Sequence, residues 1–86
     1  MKKISIYTMK NCPFCEAAKK MLTERGVSFD AVLVDDSDDK AWDDLFKKSG
    51  MRTMPQIFFG DDIIGGFAEL SSIDKEDKLV RFKSRA

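Results

Sequence analysis

Two cysteines three positions apart, Cys12 and Cys15, are the residues of this sequence whose type and spacing most directly indicate chemistry. Positions i and i+3 of a helix share a face, so the two sulfurs can close a small disulfide ring while the rest of the fold stays in place. A ring this short restrains the unfolded chain very little, and one pair cannot form a multi-bridge framework. The spacing therefore predicts redox chemistry.

Two other interpretations of the cysteine pair compete with redox chemistry. A structural zinc site needs four ligands, whereas this sequence has two Cys and no His. Only a site shared between chains would supply the missing ligands, so we assign no metal ligand. Isolated cysteines also occur as small buried hydrophobes. The position of this pair between a predicted strand and a predicted helix start favours the redox interpretation.

The two cysteines are expected to play different roles. Cys12 falls at or just before the first turn of a predicted helix, where free N–H groups and the helix dipole favour a thiolate and lower the pKa of the thiol. Cys15 lies one turn further in and is expected to be covered and less acidic. We therefore predict that Cys12 is the exposed nucleophile that forms a mixed disulfide with the target, and that Cys15 resolves it.

The elements that must position these cysteines follow the order βαβαββα. Alternating apolar residues predict strands, a 3.6-residue apolar period predicts helices, and glycines mark the helix ends. Asp74 is a candidate cap for a second short helix within the last helical region. The predicted elements are a strand at 3–8, a helix at Pro13–Arg25, a strand at Val27–Val34, a helix from the acidic run 35–39 to Gly50, a hairpin of strands 56–59 and 63–64, and a helical region after Gly65-Gly66.

This order predicts an α/β fold with a four-stranded mixed sheet flanked by helices. The first half forms a βαβ unit with parallel strands, the second half adds an antiparallel hairpin, and the last helix joins the first on one face. With 86 residues, 43% of them hydrophobic, we expect a single domain over residues 1–86. The residues expected in the core include Trp42, Phe46, Phe58 and Phe59.

The charge pattern argues against two classes of partner. Lys+Arg and Asp+Glu balance at 15 each, so we expect neither a nucleic-acid nor a membrane partner. Apolar stretches are only a few residues long, and no export signal or membrane span is predicted. A reducing compartment, the cytoplasm, is therefore expected.

A proline stands immediately before the third predicted strand, in the segment Thr53-Met54-Pro55. From the residues alone, a trans bond is the commoner case, since about 5–6% of X-Pro bonds are cis. A cis bond would leave the backbone of Met54 free to pair with an extended peptide.

The chain contains four motifs in order, which are Ile6-Tyr7-Thr8, Cys12-Pro13-Phe14-Cys15, Thr53-Met54-Pro55-Gln56-Ile57-Phe58 and Gly65-Gly66 before a helix. Together they resemble the glutaredoxin family over about Lys3 to Leu79. The resemblance implies a thioredoxin fold, a cis Pro55 facing Cys12, and reduction of disulfides or glutathione mixed disulfides with glutathione as electron donor and co-substrate. It implies no tightly bound cofactor, a monomer, and disulfide-containing or glutathionylated proteins as further partners.

The same resemblance implies roles for individual residues. Cys12 and Cys15 are the catalytic dithiol, and the Met54 backbone would hold the cysteine portion of glutathione. The N-terminal N–H groups of the helix that begins at Gly66 and Phe67 would receive the γ-glutamyl carboxylate. The implied substrate-binding and glutathione-binding residues are Lys10, Pro13, Phe14, Arg52, Thr53, Met54, Pro55, Gly66, Phe67, Ala68 and Glu69.

Three positions depart from the family pattern. Phe14 stands where the family usually has Tyr. Met9 stands where the family commonly has Lys, and Lys10 is the next residue. Ala68 stands where the family usually has the first of two Asp, and Glu69 follows one place later. These changes predict weaker glutathione binding, because a charge-assisted contact contributes about 1.5–3 kcal/mol.

Two alternative functions remain open at this point. The departures at positions 9 and 68 favour a dithiol enzyme that takes electrons from a thioredoxin reductase. An iron–sulfur carrier in which two protomers share a cluster is the other alternative, against which Pro13 and Cys15 argue.

Overall fold

The computed structural model describes residues 3–83. A short 3₁₀ turn at Val80–Phe82 follows the last helix. The strands and helices are β1 (Ile4–Thr8), α1 (Pro13–Glu24), β2 (Phe29–Leu33), α2 (Asp39–Ser49), β3 (Gln56–Phe59), β4 (Asp62–Gly65) and α3 (Phe67–Asp77).

The strands form one mixed sheet in the order β2-β1-β3-β4. The central strand β1 is parallel to β2 and antiparallel to β3, with Ile6 opposite Ala31 on one side and Ile57 on the other. β4 pairs with β3 as the second arm of the hairpin. The βαβαββα order and the four-stranded mixed sheet are therefore confirmed. Because β1 leads directly into the cysteine segment, the sheet fixes where α1 begins.

Two apolar clusters lie on opposite faces of the sheet. The alternation of side chains along β1 sends Ile4 and Ile6 to one cluster and Tyr7 to the other. The α1/α3 cluster contains Ile4, Ile6, Ala18, Leu22, Val27, Ile57, Leu70, Leu79 and Phe82. The α2 cluster contains Cys12, Cys15, Val34, Leu45, Met54 and Phe58.

The end of α3 differs from the expectation. Asp74 does not cap a second helix but lies inside α3, where its carboxylate binds the Arg25 guanidinium. The chain breaks instead at Lys78 and Leu79, which both have positive φ. The carboxylate of Asp77 accepts a hydrogen bond of 3.0 Å from the Leu79 N–H and so stabilises the turn there.

Two further predictions about burial and strand length were wrong. β2 spans Phe29–Leu33 and is shorter than the predicted strand, because Val27 packs in the α1/α3 cluster before the strand begins. Phe46 was expected in the core but is 37% exposed, with the Arg52 guanidinium carbon 4.0 Å from its ring centre. The guanidinium covers a ring that the sheet does not cover.

Within residues 3–83, none of the helices has the length and apolar character needed to span a bilayer.

Candidate active site

Cys12 and Cys15 lie at the start of α1 and are joined in a disulfide. Cys12 is the N-cap residue with an extended backbone, and Pro13 is the first helical residue, a position that needs no N–H donor. The Cys15 N–H donates to Cys12 Sγ at 3.3 Å. In the reduced protein the same donor and the helix dipole favour a Cys12 thiolate.

The two sulfurs differ in exposure in the expected order, but both are buried. Cys12 is 7% exposed and Cys15 is 1% exposed. The expectation that Cys12 is exposed therefore needs correction, because the segment before Pro55 covers it: Cys12 Sγ lies 3.8 Å from the Met54 carbonyl oxygen. In the disulfide form both sulfurs are therefore largely shielded from solvent.

The Met54-Pro55 peptide bond is cis, as the family resemblance implied. The side chain of Gln56 supports this segment from behind, since its Nε2 donates to the Met51 carbonyl oxygen at 3.0 Å. Gln56 is fully buried, and its Oε1 has no hydrogen-bond partner within the described part of the chain. The sequence analysis placed Gln56 in a strand and in the third motif but missed this supporting role, which depends on a contact with Met51 five positions earlier.

A groove of about 430 Å³ is lined by Phe14 and by Met54, whose carbonyl oxygen lies 3.8 Å from Cys12 Sγ, and we call it the Phe14 groove. Phe14 is 61% exposed, and its ring centre is 5.8 Å from that of Phe67, so the two rings form one wall across the starts of α1 and α3. The groove is lined by Phe14, Met51, Thr53, Met54, Pro55, Gly66, Phe67, Ala68 and Glu69.

Eight of the residues implied by the family resemblance thus meet in one place, since all the lining residues except Met51 were named from the sequence. Met51 was missed because nothing in its local sequence distinguishes it from a loop residue. Its side-chain methyl lies 3.6 Å from where a Cβ on Gly66 would stand, so it closes the groove from the loop side.

Glu69 caps the helix that borders the groove. Its Oε1 accepts a hydrogen bond of 2.7 Å from the Gly66 N–H, which is the carboxylate half of a capping box, because Gly66 has no side chain to accept a bond in return. The side chain lies flat against Gly65, where an added Cβ would come within 2.6 Å of it. Glycine at position 65, with φ of 130°, therefore gives the Glu69 carboxylate room to reach back.

Lys10 and Pro13 do not line the Phe14 groove. They line a second pocket of about 560 Å³, the Lys10 pocket, which contains both cysteines. Lys10 precedes Asn11, whose positive φ turns the chain into Cys12. Met9 packs against the α2 cluster, so the residue at the position where the family often has Lys is part of the core. The Lys10 pocket is lined by Thr8, Met9, Lys10, Asn11, Cys12, Pro13, Cys15, Glu16, Lys19 and Leu33.

Arg52 lies outside both pockets. Its guanidinium stacks on the Phe46 ring, and its Nη1 is 4.0 Å from the nearer carboxylate oxygen of Asp43. The expected contact between Arg52 and a substrate carboxylate is therefore not prearranged, because α2 offers the cation an aromatic face and a carboxylate.

The described residues do not bring three or more His, Cys, Asp or Glu side chains together as a metal site.

A family profile, a related sequence and a solved structure that match this chain are all glutaredoxins. The Glutaredoxin family profile matches residues 4–64. Glutaredoxin 3 of Escherichia coli (strain K12) is 39% identical over 79 residues, covering 92% of this chain and 94% of that protein. Glutaredoxin 1 from Francisella tularensis, solved with cacodylate, is 35% identical with a TM-score of 0.76, covering 88% of this chain and 95% of that one.

A third protein shares the fold at lower identity. The buckwheat glutaredoxin–glutathione complex is 24% identical with a TM-score of 0.84, over 94% of this chain and 76% of that one. These likenesses confirm the thioredoxin fold that the four motifs implied.

Proposed function

Because this chain belongs to the glutaredoxin family and has the cysteine pair of a thiol–disulfide oxidoreductase, we propose that it reduces protein disulfides and glutathione mixed disulfides. Glutathione is the proposed electron donor. The observation that carries the proposal is the Cys12–Cys15 disulfide at the start of α1, beside the Phe14 groove. The fold is compatible with glutathione binding, since the buckwheat relative of the same fold is a glutathione complex.

Reduction of a target starts from the dithiol form. The Cys12 thiolate attacks one sulfur of the target disulfide, forming a mixed disulfide and releasing the other target sulfur as a thiolate, which takes up a proton. Cys15 then loses its proton and attacks Cys12 Sγ. This step forms the Cys12–Cys15 disulfide, whose sulfurs the start of α1 already holds together, and releases the second target thiol.

Glutathione returns the enzyme to the dithiol form in two steps. One glutathione thiolate attacks Cys12 Sγ, which forms a glutathione mixed disulfide and frees Cys15 as a thiol. A second glutathione attacks the glutathione sulfur of that mixed disulfide, giving oxidised glutathione and the Cys12 thiolate. The enzyme gains two electrons and two glutathione molecules lose one each. The backbone of Met54 and the wall of Phe14 and Phe67 are the proposed contacts for the glutathione during these steps.

The test is a comparison of electron donors on one glutathionylated peptide. We expect turnover with glutathione and glutathione reductase, and its loss in Cys12→Ser. A Cys12→Ser protein that still turned over the mixed disulfide would contradict the proposed nucleophile.

A second candidate is favoured by one observation: no Lys or Arg lines the Phe14 groove among the described residues. A groove without a cation binds an anionic tripeptide less tightly, so thioredoxin reductase is the alternative donor. Turnover with thioredoxin reductase alone would replace glutathione in the proposal and leave the dithiol chemistry intact.

We also propose that the protein acts as a monomer in the cytoplasm on disulfide-containing or glutathionylated proteins. A reducing compartment suits a CxxC pair that cycles between thiol and disulfide. Size-exclusion chromatography of the oxidised and reduced forms is expected to give one monomeric peak, and a stable dimer in either form would contradict this proposal.

A further inference from the structure

The surroundings of Cys15 oppose the form in which this residue must react. Cys15 has to become a thiolate before it attacks Cys12 Sγ. It is only 1% exposed and packs in the apolar α2 cluster, and burial of this kind raises the pKa of a thiol. Its own backbone N–H donates to Cys12 Sγ, so this donor at the start of α1 favours the Cys12 thiolate. A charge that favours the Cys15 thiolate would therefore have to come from a side chain.

Lys19 is placed to supply such a charge. It follows Cys15 by four positions on α1, so the two residues share a helix face, and both line the Lys10 pocket. Helical side chains point back toward the N-terminal end of their helix. The Lys19 side chain does so, because its Nζ lies 2.7 Å from Oε2 of Glu16, which is three positions earlier. The ammonium therefore lies over the turn that carries Cys15.

The Lys19 ammonium is less exposed to water than the carboxylate that holds it. The side chain of Lys19 is 31% exposed, whereas that of Glu16 is 71% exposed. Water screens the more exposed charge more strongly, so the ammonium keeps a net effect on the pocket. The neighbouring Lys20 differs, because its side chain is 77% exposed, pairs with Glu24 at 3.8 Å and does not line the pocket.

Other titratable groups within residues 3–83 lie on two sides of Cys15. Lys10 lines the same pocket from the segment before α1. Asp35 and Asp36 border a smaller pocket that Lys10 also lines. On its buried side Cys15 belongs to the α2 cluster, against which Tyr7 packs. The charges that line the pocket with Cys15 therefore come from Lys10 and from α1.

We propose that Lys19 is a positioning residue of the dithiol reaction, whose ammonium favours the thiolate form of Cys15. In the resolving step the Cys15 thiol gives its proton to water and its sulfur attacks Cys12 Sγ. The Cys12–Cys15 bond forms, the bond from Cys12 to the target breaks, and the target leaves as a thiolate. In the return step a glutathione thiolate attacks Cys12 Sγ, and Cys15 leaves as a thiolate that the same ammonium stabilises until water protonates it. The inference deepens the proposed function and rests on it, because it concerns the same dithiol.

The test is a pH titration of Cys15 in the Cys12→Ser protein, where Cys15 is the single thiol. The ultraviolet absorbance of the thiolate reports ionisation without a reagent that has to reach a buried sulfur, and a protein with both cysteines replaced by Ser gives the baseline. Lys19→Gln removes the cation in this background, and Glu16→Gln removes its carboxylate partner. Lys20→Gln is the matched control on the same helix.

We expect Lys19→Gln to raise the pKa of the Cys15 thiol by about 0.3–0.7 pH units, the effect of one partly exposed charge. Glu16→Gln lowers this pKa by a similar amount, because the ammonium loses the carboxylate that offsets it. Lys19→Arg keeps the unmodified value, Lys20→Gln does not change it, and both shifts shrink at high salt. In the protein with both cysteines, Lys19→Gln slows attack of glutathione on the disulfide about twofold, because a thiol of higher pKa leaves more slowly.

Two results overturn the inference. An unchanged pKa of Cys15 in Lys19→Gln would show that the ammonium does not act on this thiol. Shifts in the same direction for Lys19→Gln and Glu16→Gln would show that the ion pair acts by holding the helix and not by charge. If glutathione supports no turnover in any variant, the proposed electron donor fails, and the titration, which needs no donor, alone decides the role of Lys19.

Discussion

The chemistry at Cys12 depends on a small set of contacts around one sulfur. The Cys15 N–H is 3.3 Å from Cys12 Sγ, the Met54 carbonyl oxygen is 3.8 Å from it, and only 7% of Cys12 is exposed. The first contact stabilises a thiolate, and the second shows that the Met54 segment covers part of the sulfur. Cys15 is almost fully covered, so a target disulfide meets Cys12 first.

This difference predicts separate consequences for the two serine variants. Cys12→Ser is expected to abolish turnover of every substrate, because Cys15, the other cysteine of the sequence, is only 1% exposed. Cys15→Ser is expected to keep turnover of glutathione mixed disulfides, because that reaction needs only one thiol. Its rate of protein disulfide reduction is expected to fall about tenfold or more. Trapping of a stable mixed disulfide between Cys15→Ser and a target, detected by mass spectrometry, checks the assignment. Trapping by Cys12→Ser instead would reverse the two roles.

Gln56 is the residue whose importance is least visible in the sequence. Its Nε2 bond to the Met51 carbonyl oxygen ties the loop that carries Thr53 and Met54 to the buried start of β3. Removing the Gln56 amide leaves the Met51 carbonyl oxygen without this donor. A buried hydrogen bond of this kind contributes about 0.5–1.5 kcal/mol, and more when one partner is left unsatisfied.

We therefore expect Gln56→Met, which keeps the volume and removes the donor, to lower the free energy of unfolding by about 1–3 kcal/mol. KM for disulfide substrates rises at the same time, because Met51 lines the Phe14 groove. Urea unfolding and steady-state kinetics measure the two effects. An unchanged KM would show that the loop is held without this bond.

At the scale of the elements, the starts of α1 and α3 lie side by side. The rings of Phe14 and Phe67, near the first residues of these helices, are 5.8 Å apart at their centres. The N-terminal ends of both helices therefore border the same groove. The N-cap residue of α1 is Cys12, and that of α3 is Gly66.

Phe14→Ala tests whether this aromatic wall serves binding or stability. Because Phe14 is 61% exposed, we expect little change in the urea midpoint. Loss of a ring contact in the groove is expected to raise KM for peptide disulfides by about three- to tenfold. Val80→Ala is the matched control, since Val80 is 57% exposed and lies outside the groove. Equal effects of the two variants on KM would contradict the role of the wall.

The opposite ends of these helices are joined by an ion pair. Arg25 follows α1 and donates two hydrogen bonds to Asp74 of α3, at 2.7 and 3.1 Å. The hydrogen bond from Arg25 lowers the pKa of the Asp74 carboxyl against the opposing effect of desolvation. A carboxyl whose pKa falls on folding stabilises the fold above its unfolded pKa, about 3.9, and this contribution is lost as the pH falls through the folded value.

Asp74→Asn is therefore expected to be less stable than the unmodified protein at neutral pH, and the difference is expected to shrink as the pH falls below the usual pKa of an aspartate, about 3.9. Urea midpoints measured across this range are the test. Asp44→Asn is the control, because Asp44 contacts Lys40 at 3.4 Å between exposed side chains and joins no two elements. A difference for Asp74→Asn that persisted unchanged at low pH would contradict the ion-pair explanation.

For the whole molecule, the sheet separates the cysteine pair from the α1/α3 cluster, although Phe67 of the groove packs against that cluster. Cys12, Cys15 and Met54 belong to the α2 cluster, together with Leu45, whereas Leu70 belongs to the α1/α3 cluster on the other face. A cavity in one cluster is therefore expected to disturb the site more than a cavity in the other.

Leu45→Ala and Leu70→Ala are each expected to lower the free energy of unfolding by about 2–5 kcal/mol, the usual effect of this truncation in a core. Only Leu45→Ala is expected also to change the alkylation rate of Cys12 in the reduced protein. Urea unfolding and iodoacetamide kinetics distinguish the two variants. A change in alkylation rate in Leu70→Ala as large as that in Leu45→Ala would show that the sheet does not isolate the site.

Most local elements were predictable because their signals are local. Pro13 at the start of α1, Gly50 at the end of α2 and the turn at Gly60 all lie where the sequence placed them. The break at Leu79 was not predictable, since Asp74 and Asp77 are equally good caps in sequence. The structure assigns Asp74 to Arg25, which lies 49 positions away, and leaves Asp77 for the turn.

By itself, the sequence determined the cysteine pair, the order of the elements and the four motifs, because spacing and periodicity act within a few residues. Tertiary structure decided which of the named residues share a groove. It brought Phe14, Met54 and Glu69 together, put Lys10 in another pocket and turned Arg52 onto α2. Side-chain direction depends on competing partners from distant elements, and a linear pattern does not contain that competition.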